Sequence, residues 1–156
     1  MCGTPGSGKS TWISNRLKIS DGICISRDAV RFSLLGDNDD YFSQEDEVFS
    51  MFLNNIQQQI NGPENYEIYI DATHLNEKSR NRVVDHLDLE NCSLTYVWFD
   101  VPLDICLERN ELRNGRAYVP KSVIRRMFYQ QTKPTNTEKY NHSLLIVNEK
   151  GEESIG

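Results

Sequence analysis

The sequence predicts an α/β fold in which helices cover both faces of a mainly parallel sheet. Short apolar runs alternate along the chain with segments of helical periodicity, which is typical of strands joined by crossover helices. A glycine-rich segment at residues 3–11 leads directly into the first helical pattern. The 156 residues contain no internal repeat, low-complexity tract or linker, so we expect a single domain over residues 1–156.

Each element of this fold has a local signal. The predicted strands are short apolar runs at residues 22–25, 67–70, 94–99 and 143–147. The predicted helices cover residues 11–17, 43–60, 77–89, 103–113 and 122–130. Ser43 and Asp46 form an approximate capping box for the second helix, and Asn61, Gly62 and Pro63 end its apolar pattern. We expect a polar tail after the last strand.

The glycine-rich segment is a complete Gly-x-x-x-x-Gly-Lys-Ser phosphate loop, which consists of Gly3, Thr4, Pro5, Gly6, Ser7, Gly8, Lys9, Ser10 and Thr11. Glycines let such a loop fold around an anion so that its backbone N–H groups point inward. Lys9 would reach the β- and γ-phosphates, and the Ser10 hydroxyl would be a ligand of Mg²⁺. The segment therefore predicts binding of ATP or another nucleoside triphosphate.

Only Met1 and Cys2 precede this loop, although a phosphate loop normally follows a buried strand. We therefore expect the first strand to be a truncated stub at the centre of the sheet. We also expect the given sequence to begin inside a longer native chain.

The net charge of −6 is unevenly distributed along the chain. Residues 109–133 contain seven basic residues and one acid, a local charge of +6, so the remainder carries −12. Six acids and no base lie between residues 37 and 47, where we expect a solvated loop and helix start. The basic segment is compatible with a polyanionic ligand in spite of the net charge.

Other bulk features argue for a cytoplasmic protein without a membrane partner. No stretch reaches the roughly 20 apolar residues that a membrane-spanning helix needs. The four cysteines form no Cys-x-x-Cys pair and have no metal-like spacing with the three histidines. We expect them to be reduced and mostly buried.

Polar side chains follow the predicted strands, and ligands of parallel α/β sheets bind at that edge. After the strand at 22–25, Asp28 could accept a proton or hydrogen bond from an attacking hydroxyl, with Arg31 one helical turn later. The alternative, equally compatible with the spacing, is that Asp28 caps the next helix and Arg31 is a surface residue. After the next strand, Asp71 is a candidate for the Mg²⁺ shell, while a lone histidine such as His74 is more often structural.

Two predicted helices joined by an arginine-bearing turn suggest a lid over a bound nucleotide, at about residues 103–130. Arg109, Arg113 and Arg116 lie in or next to this turn. Arginine there would neutralise the charge on a transferring phosphoryl group. The alternative is a solvated basic helix pair.

Together these motifs resemble the 5′-polynucleotide kinase domains of phage polynucleotide kinase and bacterial end-healing kinases, a family of P-loop phosphotransferases. The resemblance spans residues 3–129 and rests on Gly-x-Pro-Gly-Ser-Gly-Lys-Ser-Thr-Trp, Ser-Arg-Asp-x-x-Arg, Asp-Ala-Thr-His-Leu-Asn, Phe-Asp-Val-Pro and Arg-Asn-x-x-x-Arg…Val-Pro, in this order. It implies that Asp28 activates the acceptor's 5′-hydroxyl and that Arg31 contacts its 3′-phosphate. It also implies that Arg113 is the lid arginine on the donor phosphates and that Arg109 is a further donor contact.

Two departures from the family pattern leave roles open. The lid turn is one residue longer than in the phage enzyme, so either Arg113 or Arg116 is the essential arginine. Asp71 sits one place earlier than the phage carboxylate, which leaves its role open. No Asp-x-Asp-Gly-Thr phosphatase signature follows, and in some relatives the kinase is fused to phosphatase and ligase modules.

The sequence thus predicts a P-loop kinase that transfers the γ-phosphate of a nucleoside triphosphate to the 5′-hydroxyl of RNA or DNA in nucleic-acid repair. One alternative is a kinase of the same fold that acts on a small metabolite or a tRNA-linked acceptor. A second is a nucleotide-switched binding module, although the chain has no Asn-Lys-x-Asp guanine signature. RNA or DNA preference, the donor base and the oligomeric state are not specified.

Overall fold

Four parallel strands provide the framework of the domain. In the computed structural model, which describes residues 1–62 and 66–156, β1 (Gly22–Ser26) pairs with β2 (Glu67–Asp71) and β3 (Thr95–Asp100) pairs with β4 (Ser143–Asn148). A short strand, β5 (Glu153–Ile155), pairs antiparallel with β4. The mainly parallel sheet predicted from the sequence is confirmed, and the expected polar tail after β4 also contains β5, which the sequence did not predict.

The first three residues lie between the two strand pairs. The Met1 nitrogen donates to Ile70 O, and Cys2 forms a parallel bridge with Trp98 through bonds to Val97 O and from Phe99 N. The segment therefore occupies the position of a central strand, directly before the phosphate loop.

In the described part of the chain, six α-helices surround the sheet: α1 (Lys9–Arg16), α2 (Arg27–Leu34), α3 (Glu45–Ile60), α4 (Glu77–Val84), α5 (Leu103–Glu111) and α6 (Lys121–Gln130). Alternate residues of β3 are buried in different clusters, with Val97 and Phe99 packed with residues of α5 and α6, and Tyr96 and Trp98 packed beside Cys2. A third cluster joins β1 and β2 to α2, α3 and α4. Since apolar side chains leave both faces of β3, this strand lies in the interior, as expected in a parallel sheet.

Several helix boundaries differ from the predictions by one to five residues, and α2 was not among the predicted helices. The capping box at Ser43 and Asp46 was wrong, because α3 begins at Glu45 and the Ser43 hydroxyl donates to Asp40 O. The helix predicted at 77–89 ends at Val84, although its start has a true capping box between Asn76 and Ser79. Pro63, part of the predicted end of α3, lies outside the described residues.

Within the described ranges, no helix is both long and apolar enough to cross a membrane.

Candidate active site

The phosphate loop has the backbone that its glycines predict. Gly6 and Gly8 have φ values of 87° and 98°, a left-handed region that favours glycine. A Cβ atom on Gly6 would come within 2.3 Å of Cys106 O, so the loop also packs directly against α5. At this position glycine is required both by conformation and by space.

Lys9 lies inside this loop as a buried cation. Its Nζ donates to Gly3 O at 2.9 Å and to Thr4 O at 3.0 Å. Burial lowers the pKa of Lys9 to about 8, while the carboxylate of Asp71 opposes this shift. The position between backbone carbonyls leaves the ammonium group ready to meet an anion entering the loop.

The other residues predicted to bind phosphate differ in solvent exposure. Thr4 and Ser7 are buried, and the Thr4 hydroxyl donates to Gln131 Oε1 at 2.8 Å, so this side chain ties the loop to the end of α6. Pro5 is half-buried, whereas Ser10 and Thr11 are exposed at the start of α1.

The structure brings the two predicted metal-side residues together. Asp71 ends β2, and its Oδ2 accepts a hydrogen bond of 2.9 Å from Ser10 Oγ. Two hard oxygen donors at the edge of a phosphate loop fit Mg²⁺, which commonly binds one or two protein oxygens together with water and substrate phosphates. Among the described residues there is no cluster of three or more His, Cys, Asp or Glu side chains suited to a metal. The fit therefore depends on the substrate to complete the shell.

Asp28 and Arg31 form an ion pair on α2, with 2.6 Å between Arg31 Nη1 and Asp28 Oδ1. The Asp28 side chain is 61% exposed, whereas that of Arg31 is only 5% exposed. Ser26, not Asp28, caps α2, since its side chain accepts from Ala29 N. The alternative in which Asp28 was a cap and Arg31 a surface residue was therefore wrong.

Tyr41 completes this cluster from the loop that precedes α3. Its hydroxyl donates to Asp28 Oδ1 at 2.6 Å and accepts from Arg31 Nη1 at 2.8 Å. Burial and the hydrogen bond with Asp28 raise the pKa of Tyr41, so the phenol stays protonated and remains a donor. Among the described residues, Asp28 Oδ2 receives no hydrogen bond, so this oxygen is available as an acceptor.

Glu45 holds the arginines of α2 from the first residue of α3. Its Oε1 accepts from Arg31 Nε at 2.9 Å, and its Oε2 accepts from Arg27 Nη2 at 2.9 Å. The expectation that the acids at 37–47 are all solvated was therefore wrong for Glu45. Sequence reasoning missed both Glu45 and Tyr41, because neither lies in a motif. The nearest signal was the run of acids at residues 37–47, which contains no basic residue to pair with them.

The three predicted lid arginines lie in different surroundings. Arg109 donates to Ser7 O of the phosphate loop at 3.4 Å and also to Glu149 O. Arg113 is half-buried and lies close enough to Lys9 to lower the pKa of that lysine. Arg116 instead donates to Gly36 O at 3.0 Å, and its guanidinium lies 5.4 Å from the ring of Phe32 on α2.

The turn that carries Arg113 and Arg116 is held at its base. Buried Asn110 donates to Val119 O and accepts from Val119 N, so one side chain closes the loop between α5 and α6. Cys106 and Ile124, one on each helix, are fully buried in the core. The part of the predicted lid that stands clear of the core is thus the turn at residues 112–119.

His74 has a structural environment. Its Nδ1 lies 3.0 Å from Met1 O, and burial lowers its pKa to about 3. The ring is therefore neutral near pH 7 and contacts the first residue of the chain, an environment that suits a structural histidine.

A groove of about 600 Å³ opens beside the phosphate loop. Gly8, Trp12 and Arg109 line one side, and the turn between β4 and β5 lines the other. Glu153 of β5 fixes this wall, since it accepts a hydrogen bond of 2.9 Å from Trp12 Nε1 and pairs with Arg16. β5 therefore helps to fix one wall of this groove, which its polar sequence did not indicate.

A family model described as AAA domain matches residues 1–134, which include the phosphate loop, Asp71, the cluster around Asp28 and the lid turn. The chain belongs to this AAA domain family. No curated protein sequence matches this AAA domain significantly.

Solved structures with similar folds include kinases of several kinds. A chain of the Pnkp1/Rnl/Hen1 RNA repair complex shares 25% identity, with a TM-score of 0.71 over 83% of this chain and 42% of that one. A sugar kinase from Janibacter sp. shares 13%, with a TM-score of 0.67 over 97% and 84% of the two chains. The deoxyadenosine kinase from M. mycoides shares 15%, with a TM-score of 0.56 over 97% and 90%. The AAA domain thus spans less than half of the repair-complex chain.

The fold and the phosphate loop together support a phosphotransfer role for this AAA domain, and the resemblance to polynucleotide kinase domains is confirmed at the level of the domain. The acceptor is a separate question, which depends on the cluster around Asp28.

Proposed function

We propose that this protein is a polynucleotide 5′-hydroxyl kinase that transfers the γ-phosphate of ATP or another nucleoside triphosphate to the 5′ end of RNA or DNA. The observation that supports this most directly is the Asp28 carboxylate. It is exposed at the start of α2, fixed through Oδ1 by Arg31 and Tyr41, and has Oδ2 available. α2 follows β1, whose last residue Ser26 is in register with Asp71 beside the phosphate loop.

On the donor side, the backbone amides of the phosphate loop would bind the β-phosphate, and Lys9 would move from its carbonyl partners to the β- and γ-phosphates. Ser10 and Asp71 would hold Mg²⁺, which supplies charge neutralisation between the phosphates when bound. Arg109 lies between the phosphate loop and the groove of about 600 Å³, which is large enough to receive the nucleoside part of the donor.

On the acceptor side, Asp28 Oδ2 would accept the hydrogen bond of the 5′-hydroxyl and orient its oxygen toward the γ-phosphorus. A bond forms between that oxygen and phosphorus while the bond to the β,γ-bridging oxygen breaks, so a nucleoside diphosphate leaves. The hydroxyl proton passes to Asp28 late in the reaction, because phosphoryl transfer depends mainly on positioning and charge stabilisation.

Arg113 is the better candidate for the essential lid arginine. Arg113 lies close enough to Lys9 to lower the pKa of that lysine, whereas Arg116 donates a hydrogen bond to Gly36 O, near the end of α2. An arginine beside the phosphate loop can neutralise charge that develops on the transferred group.

Arg31 remains a predicted acceptor contact, although most of its N–H groups are already hydrogen-bonded within the protein. All three of its guanidinium nitrogens donate to Asp28, Tyr41 or Glu45 in this conformation. These bonds use four of the five guanidinium N–H groups, so a 3′-phosphate would meet the remaining N–H of Nη2 while the loop that carries Tyr41 stays in place.

A small-metabolite kinase is the second candidate, and the acidic loop favours it. Asp37, Asp39 and Asp40 are all exposed close to the proposed acceptor site, and they would repel a phosphodiester chain that crossed this loop.

Phosphate transfer from γ-labelled ATP tests the proposal. Acceptors would be 5′-hydroxyl RNA and DNA oligonucleotides, the same oligonucleotides with a 5′-phosphate, gluconate and deoxyadenosine. We expect label only on the 5′-hydroxyl oligonucleotides, and we expect Lys9→Ala to reduce transfer by about 10²–10³-fold, as for the loss of one electrostatic donor. Label on a metabolite but on no oligonucleotide would refute the proposal, and release of inorganic phosphate alone would favour a nucleotide-switched module.

Cytoplasmic location and fusion to phosphatase or ligase modules remain proposals. The first is checked by fractionation of cells that express the native gene, and the second by the length of the native protein.

A further inference from the structure

The aromatic ring of Phe42 lies beside the Asp28 cluster and is largely exposed. Phe42 is 68% exposed, although burial of an aromatic side chain normally stabilises a fold. Its neighbour Tyr41 contacts it edge to face, with 4.8 Å between the ring centroids. Phe42 is thus separated from Asp28 by a single tyrosine side chain, whose hydroxyl is bonded to Asp28 Oδ1.

The loop holds Phe42 in this outward position. Its backbone nitrogen donates to Asp40 Oδ1 at 2.9 Å, and the Ser43 nitrogen and hydroxyl both donate to Asp40 O. Tyr41 is fixed in turn, because it is bonded to Asp28 and covers the Arg31 guanidinium at 4.2 Å. The two aromatic rings therefore have different roles, with Tyr41 as the support and Phe42 as the ring with free surface.

The charge around Phe42 indicates what can bind there. Three exposed carboxylates, those of Asp37, Asp39 and Asp40, precede Phe42 in the same loop, and their negative charge disfavours a phosphate but not a neutral planar group. Arg116 stands on the other side of the same aromatic group, over Phe32, which contacts Tyr41 at 6.1 Å. A nucleotide with its neutral base on Phe42 and its phosphate directed away from the acidic loop would avoid repulsion by the carboxylates. It would also be compatible with the positive charge of Arg116.

We infer that Phe42 is the stacking surface for a nucleobase at the 5′ end of a single-stranded acceptor. The inference rests on the proposed function, because the group stacked on Phe42 is the one attached to the hydroxyl held by Asp28. Stacking of bases on aromatic side chains tolerates any base sequence, as every base has a π-face. Phe42 would then give the enzyme a preference for nucleic-acid ends over acceptors without a base, and it would do so without sequence specificity.

The test compares a normal 5′-hydroxyl oligonucleotide with otherwise identical oligonucleotides that have an abasic residue at the first or second position. For the wild type we expect kcat/KM to fall about fivefold or more when the stacked base is absent, the low end for one lost base–aromatic stack. Phe42→Ala should lower kcat/KM for the normal oligonucleotide by the same factor and respond no further to the abasic residue. Phe42→Trp should retain the discrimination, whereas Phe42→Leu should lose it.

Met51→Ala is the control, because Met51 is an exposed apolar residue on α3, 39% accessible, outside the phosphate loop, the lid and the Asp28 cluster. It should behave as wild type. The KM for ATP should not change in any of these variants, and thermal unfolding checks that each is folded. Unchanged base discrimination in Phe42→Ala, with an active wild type, would overturn the inference and leave the proposed function in place. A wild type that phosphorylates no oligonucleotide would overturn both.

Discussion

Proton uptake on nucleotide binding is a direct consequence of the buried Lys9. The Lys9 pKa of about 8 in the free protein reflects burial among the carbonyls of the phosphate loop. Phosphates of a bound nucleotide favour the charged ammonium form and should restore an ordinary lysine pKa of about 10.4. At a pH between about 8 and 10.4, Lys9 is therefore mostly neutral in the free protein but mostly protonated in the complex.

The magnitude follows from that shift. At pH 8 about half of the free protein has a neutral Lys9, so binding should take up about 0.5 proton per nucleotide, rising to about 0.9 at pH 9 and falling to about 0.1 at pH 7. Because the free protein is stabilised by losing this proton, the affinity for MgATP should fall about tenfold between pH 7 and pH 9. The sign is fixed: the complex binds the proton more tightly than the free protein, so higher pH weakens binding.

Isothermal titration calorimetry in buffers of different ionisation enthalpy measures the uptake. The experiment uses excess Mg²⁺, so that the nucleotide is fully ionised throughout this range. Lys9→Met is the control, since it removes the titrating group and should abolish both the uptake and the pH dependence. Equal affinity at pH 7 and pH 9, or uptake that persists in Lys9→Met, would refute the reasoning.

Three further predictions concern the acceptor, the lid and the core. Asp28→Asn should lower kcat by about 10²-fold with little change in ATP affinity, as steady-state kinetics would show; an effect on ATP binding alone would contradict this. Arg113→Ala should lower kcat by about 10²–10³-fold and Arg116→Ala much less, so the reverse order in parallel assays would exchange their roles. Arg80→Met should cost about 3–5 kcal/mol in urea unfolding, because it leaves Glu138, only 3% exposed, without its partner. The double variant with Glu138→Leu should recover much of that loss.

Local motifs determined the donor half of the site in advance. The residues from Gly3 to Ser10 must form a phosphate loop because glycine conformation, the lysine and the helix start act within a few residues of one another. Strand–helix alternation likewise predicted the parallel sheet, since periodicity is a property of consecutive residues. The pairing of Ser10 with Asp71 followed from the rule that strand ends share one edge of the sheet.

The arrangement of the proposed acceptor site was decided only by the tertiary structure. Asp28 and Arg31 were visible as a pair, yet Tyr41 and Glu45 reach them from a different segment, and that contact sets which oxygen of Asp28 is free. The same contacts explain the wrong start of α3, because its first residue is placed by pairing with α2 arginines and not by a local cap.

The positions of Arg113 and Arg116 also depended on the folded chain. They are only three residues apart, but in the turn closed by Asn110 Arg113 lies close enough to Lys9 to lower its pKa, whereas Arg116 is bonded to Gly36. β5 was hidden for a related reason, since Glu153 is polar and exposed and its strand is stabilised by β4 and by Trp12, from the far end of the chain. Sequence alone determines what nearby residues impose on one another, whereas contacts between distant segments exist only once the sheet and helices have brought them together.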